Sequence, residues 1–253
     1  QKQIDISHTM GDQFQQANAY DGMGIIYRQN GDYEKSEKLL NKAIGMSKAI
    51  DDKYGIASSR CNLSTTFFES GKIKKAKNML SEGLELFNEM NNKRALHLGD
   101  FSMSKLLLFE EEYKEGIKKI NIALSFFQEI DDTVYLIRSL ILLAKMERLN
   151  NNKYSALENL KKAYDLSSKI NHVEFKNKAN IEINICNINH DDALNTLLQN
   201  IDEKTDETKA YIYFNIHKYL GQDDAKFKAN SLYSKLYKKI NKFEYQYYLT
   251  LLK

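Results

Sequence analysis

The chain has 253 residues, of which 42% are hydrophobic and 28% are charged, and its formal net charge is +3. This balance excludes an intrinsically disordered chain, and no stretch reaches the roughly 20 consecutive apolar residues of a membrane-spanning helix. The absence of proline and the presence of only two cysteines favour an all-helical fold over a sheet-rich or disulfide-stabilised one. We therefore expect a cytoplasmic protein without a secretory signal.

The first residues fit the end of a helix. Gly11-Asp12 occupies the same place in the repeat described below as Asp51-Asp52. We therefore expect residues 1–12 to be the tail of a repeat helix whose beginning precedes the given sequence.

Residues 13–172 contain two series of turn residues with a period of 40. One series is Asn30-Gly31, Ser70-Gly71, Glu110-Glu111 and Asn150-Asn151, and the other is Asp51-Asp52, Asn91-Asn92, Asp131-Asp132 and Asn171-His172. Side chains of matched size recur at the same period, among them Gly24, Ser64, Ser104 and Ala144, and Leu40, Leu80, Ile120 and Leu160. The sequence therefore predicts four repeats of 40 residues.

Each repeat is typical of two antiparallel helices. In the second repeat, apolar residues at helical spacing predict helices over Tyr54–Glu69 and Lys72–Met90. Gly31 and Gly71 suit the left-handed conformation that ends a helix. The small residues, such as Gly24, predict a close crossing of the two helices.

Beyond residue 172 the regularity fails. The pattern predicts helices over 173–188, 191–201, 205–220, 223–240 and 243–252. Asp191 and Asp192 suit a helix start, where carboxylates cap free backbone N–H groups. We interpret residues 173–253 as degenerate repeats with C-terminal capping helices, because repeat arrays need an atypical unit to cover the last apolar face.

The repeat resembles the tetratricopeptide repeat. The first unit carries the resemblance best, in Tyr20, Met23, Gly24, Tyr27, Ser36, Leu40 and Ala43. The family's usual repeat has 34 residues and a proline near the end of the second helix, whereas this chain runs six residues longer and has no proline. The resemblance implies a right-handed superhelical solenoid of antiparallel helix pairs whose concave groove binds partner proteins. Longer repeats of this kind resemble those of polarity adaptors, bacterial signalling regulators and pheromone-peptide receptors.

No motif for catalysis, metal binding or cofactor binding is present. The sequence contains no glycine-rich phosphate loop, no paired Cys-x-x-Cys and no nucleophile elbow. His190-Asp191-Asp192 is better explained as a helix start than as part of a metal site, and Cys61 has no histidine near it in sequence. Only five of the 37 basic residues are arginine, which argues against a nucleic-acid partner. We expect a protein that is not an enzyme and has no cofactor.

The repeat register instead predicts a partner-binding groove on the first helices. Its candidate residues are Arg28, Asn62, Phe68, Phe101, Lys105, Arg138, Lys145 and Arg148. Asn62 fills a position at which the family holds an extended peptide backbone. Cations between apolar side chains suit an acidic peptide with apolar anchors. The alternative is that these cations only solvate the inner face, and reversing the charge of Arg28, Lys145 and Arg148 would separate the two interpretations.

We expect a protein–protein interaction scaffold that is a module of a larger signalling or regulatory protein. The alternative is a peptide- or ligand-sensing module that controls an attached DNA-binding, kinase or cyclase domain. Tyr245, Tyr247 and Tyr248 cannot all face one core on a single helix, so we expect at least one to be exposed. The C-terminal helix that carries them is a further candidate surface for self-association.

Overall fold

The structure, a computed structural model, describes residues 13–253, so the expectation for residues 1–12 lies outside it. Within this range the chain folds into α-helices joined by short turns, without any strand, and the predicted all-α fold of antiparallel helix pairs is confirmed. The first eight helices have 17 residues each: α1 Gln13–Gln29, α2 Tyr33–Ala49, α3 Lys53–Glu69, α4 Ile73–Glu89, α5 Lys93–Phe109, α6 Tyr113–Glu129, α7 Thr133–Leu149 and α8 Lys153–Lys169.

The turns that follow these helices each place one residue in the left-handed region, as predicted for Gly31 and Gly71. Gly31 and Gly71 have φ values of 82° and 80°, where glycine has no steric cost. The corresponding residues of the other turns are Asp51, Asn91, Glu111, Asp131, Asn151 and Asn171, with φ between 53° and 63°. A left-handed residue therefore recurs every 20 residues, so that each 40-residue repeat contains two such turns.

Many of the helices have a polar residue at the N-cap position. Asp32, Asp52 and Asp132 each accept a hydrogen bond from the backbone N–H three residues later. Asn152 and His172 do the same at the starts of α8 and the next helix. These bonds satisfy N–H groups that the first helical turn leaves free.

The small residues allow the two helices of a pair to cross closely. A Cβ atom on Gly24 of α1 would lie 2.7 Å from Cγ of Leu40 on α2, and Leu40 is fully buried. Successive pairs also approach closely, because a Cβ atom on Gly116 of α6 would lie 2.5 Å from Sδ of Met146 on α7, the first helix of the next pair. The predicted close crossing at Gly24 is confirmed.

The last third of the chain is less regular. Its elements are α9 Val173–Cys186, α10 Asp191–Leu198, a 3₁₀ turn Ile201–Glu203, α11 Asp206–Leu220, α12 Asp223–Lys239 and α13 Phe243–Leu251. The prediction that Asp191 and Asp192 cap α10 was wrong in one respect. Both lie in the first turn, where they oppose the helix dipole, and His190 holds the N-cap position without a side-chain bond.

The described chain divides into two compact units. The first unit extends to Gly99 and includes residues 240–244, and the second comprises residues 100–239 and 245–253. In the first unit, Ile240 and Phe243 lie against the turns at Gly31 and Gly71. In the second unit, Tyr248 stacks on Tyr233 with ring centroids 5.0 Å apart.

Candidate functional site

In the first unit, a hydrogen-bonded cluster joins α1 and α3. Nδ2 of Asn62 donates to both carboxylate oxygens of Asp21, at 3.2 and 2.9 Å. Oγ of Ser59 donates to Asp21 at 2.6 Å. The amide that was predicted to hold a peptide backbone is therefore engaged by the chain itself.

Arg28 and Phe68, two further candidates of the first unit, are also engaged within it. Arg28 forms an ion pair of 2.9 Å with Glu69, and only about 15% of either side chain is exposed. Phe68 is buried and packs edge-to-face on Phe243, with ring centroids 6.1 Å apart. The chain's own C-terminal segment thus covers a residue predicted to line the groove.

In the second unit, an aromatic and cationic cluster joins α5 and α7. The Arg138 guanidinium lies 5.1 Å from the ring centre of Phe101 and 4.7 Å from that of Tyr135. The two rings pack edge-to-face, with centroids 6.0 Å apart. Arg138 is exposed, and Phe101 and Lys105 are half-buried. The structure therefore brings Phe101 and Arg138 together as an accessible pair.

A second cluster surrounds Glu182 on α9. Lys145 and Arg148 of α7 form ion pairs with its carboxylate at 3.0 and 3.2 Å. Tyr211 of α11 donates to Glu182 at 2.9 Å, and Arg148 donates to the hydroxyl of Tyr219 at 2.6 Å. Three successive first helices are joined by this network, which we call the Glu182 cluster.

Burial and charge shift the pKa values of the Glu182 cluster. Burial opposes ionisation of Glu182, but Lys145 and Arg148 outweigh it and hold the pKa of the carboxyl below its usual value. Burial and the nearby Glu182 carboxylate raise the pKa of Tyr211 to about 12. Glu182 is therefore an anion and Tyr211 a neutral donor at neutral pH, which leaves two cations and one anion in the cluster.

The sequence reasoning missed the anions that hold the predicted cations. Glu182 lies three repeat periods after Asn62, so the register that singled out Asn62 could have found it. Asp21 and Glu69 were not among the candidate residues. The covering of Phe68 by Phe243 has no signal in the repeat, because residues 240–243 lie outside the regular period.

The cysteines do not have the environment of nucleophiles. Burial raises the pKa of Cys61 to about 12. Burial is also the largest of the effects that raise the pKa of Cys186 to about 11. Among the described residues, no three or more His, Cys, Asp or Glu side chains lie close enough together to hold a metal ion. None of the helices in residues 13–253 has the length and apolar character that crossing a bilayer requires.

Comparison with solved structures supports the helix-pair fold. The signal transduction ATPase with a tetratricopeptide repeat sensor from Pyrococcus horikoshii is 17% identical, with a TM-score of 0.63 over 95% of this chain. A Rap protein complexed with competence and sporulation factor is 11% identical, with a TM-score of 0.68 over 95% of this chain. Aspartyl phosphate phosphatase F from Bacillus subtilis is 12% identical, with a TM-score of 0.67 over the same share.

These structures are longer than this chain, which covers 36% of the ATPase, 72% of the Rap protein and 60% of the phosphatase. A search of curated proteins finds no match. The family model of the tetratricopeptide repeat matches residues 15–89, which are the first two helix pairs. Residues 15–89 therefore match the tetratricopeptide repeat, and the later helix pairs share the fold of the solved repeat structures.

Proposed function

We propose that this chain is a protein-interaction module, which binds an acidic peptide or helical partner on the inner faces of α5 and α7. Excess positive charge at the Glu182 cluster is the observation that carries this proposal. Lys145 and Arg148 both form ion pairs with the carboxylate of Glu182, and a carboxylate of a partner would be attracted to these two neighbouring cations. Lys145 is the accessible member, with 30% of its side chain exposed.

The exposed Arg138 supplies a second anchor in the same unit. Its guanidinium lies over Phe101 and Tyr135, and this stacking leaves the edge of the guanidinium available to a carboxylate. Phe101 offers an apolar surface beside it. A partner segment with an acidic residue next to an apolar one fits this arrangement. We propose that the chain acts by binding alone, in the cytoplasm and without a catalytic step.

The charge-reversal test suggested by the sequence has to be redesigned. Arg28 and Arg148 form largely buried ion pairs with Glu69 and Glu182, so reversing their charges would destabilise the fold as well as any binding. Neutral replacement of the accessible cations avoids this problem. The test variant is Arg138→Gln/Lys145→Gln, and the matched control is Lys161→Gln, at an exposed position on α8.

The experiment selects short random peptides, displayed on phage, against the native chain. We expect enrichment of Asp or Glu beside aromatic or aliphatic residues. Binding of the selected peptides should weaken about tenfold, or roughly 1.4 kcal/mol, in the double variant and stay unchanged in Lys161→Gln. Enriched peptides without acidic residues, or equal binding to all three proteins, would refute the proposal.

A sensing module is the second candidate function. One observation favours it: the ATPase from Pyrococcus horikoshii is described as having a tetratricopeptide repeat sensor, and this chain covers 36% of it. In this case the chain would control an attached effector domain. Reading the coding sequence on both sides of the given residues tests it, and a reading frame without a DNA-binding, kinase or cyclase domain would count against it.

Self-association through α13 is less favoured. Tyr245 is buried and Tyr248 stacks on Tyr233. Tyr247 packs on Phe109 with ring centroids 5.2 Å apart and donates to Glu111 at 3.1 Å. The expectation that one of the three tyrosines is exposed was wrong, because all three pack at least partly on the chain itself.

A further inference from the structure

A cleft of about 640 Å³ opens beside α9 in the second unit. It lies between α9 and the segment from Thr196 to Thr208. The partner helix of α9 is α10, which has eight residues where the earlier second helices have 17. The chain leaves α10 through a left-handed Asn200 and a 3₁₀ turn. The cleft therefore occupies the place in which the missing half of a second helix would pack.

The face of α9 that lines this cleft differs from the same face of α7. Ile137, Leu140 and Ala144 of α7 are buried in apolar clusters with residues of α8. The residues at the same positions of α9, 40 residues later, are Asn177, Asn180 and Asn184. Asn177 and Asn180 are exposed and Asn184 is half-buried. Amides therefore replace an apolar packing face where the covering helix ends early.

Asn184 donates from Nδ2 to the backbone carbonyl and the side-chain oxygen of Asn180, at 2.8 and 3.3 Å. The exposed Asn177 and Asn180 are therefore the amides that a polypeptide backbone in the cleft would meet. A side-chain amide carries one acceptor and two donors, which is the complement of a peptide's N–H and C=O groups. Asn177 and Asn180 lie three residues apart on the helix, or about 4.5 Å, which is between the lengths of one and two extended residues. Below them, Ile181 and the buried Leu197 form an apolar floor for one side chain.

Other ligand classes fit this cleft poorly. Among the described residues that line it, none is aromatic, so a sugar or base would have no ring to stack on. Its lysines are engaged, Lys178 with Glu174 at 2.6 Å and Lys204 with the carbonyl of Gln199 at 3.1 Å. The lining has three carboxylates, Glu174, Glu203 and Glu207, against these two lysines. The net negative charge disfavours phosphate and acidic ligands.

We propose that this cleft, the amide cleft, binds an extended segment of a partner polypeptide that is neutral or basic and carries one aliphatic side chain. Asn177 and Asn180 hold the backbone of the segment, and Ile181 and Leu197 receive its aliphatic side chain. The amide cleft is separate from the acidic-peptide site proposed above, and its charge preference is the opposite.

The test selects short random displayed peptides against the Arg138→Gln/Lys145→Gln protein, in which the acidic-peptide site is disabled. We expect enriched peptides that are neutral or basic and contain an aliphatic residue. Their binding should fall at least about tenfold in a protein that also carries Asn177→Ala/Asn180→Ala. Alanine is the better helix former and both positions are exposed, so this variant should fold.

The matched control is Asn88→Ala/Asn121→Ala, which removes two exposed amides from other helices and should leave binding unchanged. No enrichment above background, enrichment of acidic peptides, or binding that survives loss of Asn177 and Asn180 would each overturn the proposal. Failure of the acidic-peptide site is observed separately, in the comparison of the native chain with Arg138→Gln/Lys145→Gln.

Discussion

Arg148 and Glu182 are 34 residues apart in the sequence and form an ion pair of 3.2 Å between α7 and α9. Only 8% of the Arg148 side chain and 3% of the Glu182 side chain are exposed. A buried ion pair adds little stability compared with well-packed apolar residues, but removing one partner leaves an uncompensated buried charge. The Glu182 cluster therefore adds an ionic contact between neighbouring helix pairs whose contribution depends on one carboxylate.

We expect Glu182→Gln to lower the free energy of unfolding by about 3 kcal/mol, because Lys145 and Arg148 lose their shared anion. Urea unfolding followed by circular dichroism measures the change. Glu158→Gln, at an exposed position of α8, is the control and should change the free energy by less than about 0.5 kcal/mol. Equal effects of the two substitutions would contradict the structural role of Glu182.

The same carboxylate predicts a loss of stability in acid. The pKa of Glu182 is lowered in the folded chain, whereas an unfolded glutamate titrates near about 4.3. The unfolded chain therefore binds the proton more readily between these two pKa values, and the stabilisation is complete above the unfolded pKa. It is lost as the pH falls through the folded pKa.

Urea unfolding of the native chain and of Glu182→Gln, from about pH 6 to about pH 3, tests this dependence. We expect the difference between the two proteins to be largest at the upper end and to shrink towards the lower end. A difference that stays constant with pH would show that Glu182 does not titrate with a lowered pKa.

The period of the sequence predicted much of the fold, because each turn repeats one backbone conformation. Gly31 and Gly71 were predicted to be left-handed, whereas Asp51 and Asn91 were recognised only as turn residues of the same period. The exact start of α10 was harder to predict, because the polar residues Asp191 and Asp192 there carry no apolar pattern. The prediction that both residues lie at the start of the helix was right, and the prediction that they cap its N–H groups was wrong.

The candidate site was less predictable, because register assigns a residue to a face but does not determine its partner. Arg28 and Arg148 were assigned to the inner faces of the first helices, and both are engaged there by Glu69 and Glu182. The contact of Phe243 with Phe68 joins residues far apart in sequence, with no shared period. The amide cleft depends on the early end of α10, which the pattern extended to Ile201.

A double-mutant cycle tests the contact of Phe68 with Phe243 in the first unit. We expect Phe68→Ala and Phe243→Ala each to destabilise the chain, with a coupling energy of about 0.5–1.5 kcal/mol, because the two rings pack edge-to-face. Urea unfolding of both single variants and the double variant gives this value. Additive effects of the two substitutions would exclude a direct contact in solution.

The two cysteines should react slowly in the folded chain. Their pKa values, about 12 for Cys61 and about 11 for Cys186, leave very little thiolate at pH near 8. We expect modification by a disulfide reagent to be at least about a hundredfold slower than in the urea-unfolded chain. Cys61→Ser and Cys186→Ser assign each rate, and a thiol that reacts equally fast in both states would contradict its burial.

Gly22 and Gly24 of α1 should respond in opposite directions to substitution by alanine. A Cβ atom on Gly22 meets no atom within 4 Å, so Gly22→Ala should stabilise the helix by about 0.5–1 kcal/mol, because alanine loses less backbone entropy on folding.

A Cβ atom on Gly24 would lie 2.7 Å from Cγ of the fully buried Leu40. We expect Gly24→Ala to destabilise the chain by about 1–3 kcal/mol through overpacking. Thermal and urea unfolding of the two variants measures both signs, and a stabilising Gly24→Ala would show that α1 and α2 cross less closely than the structure indicates.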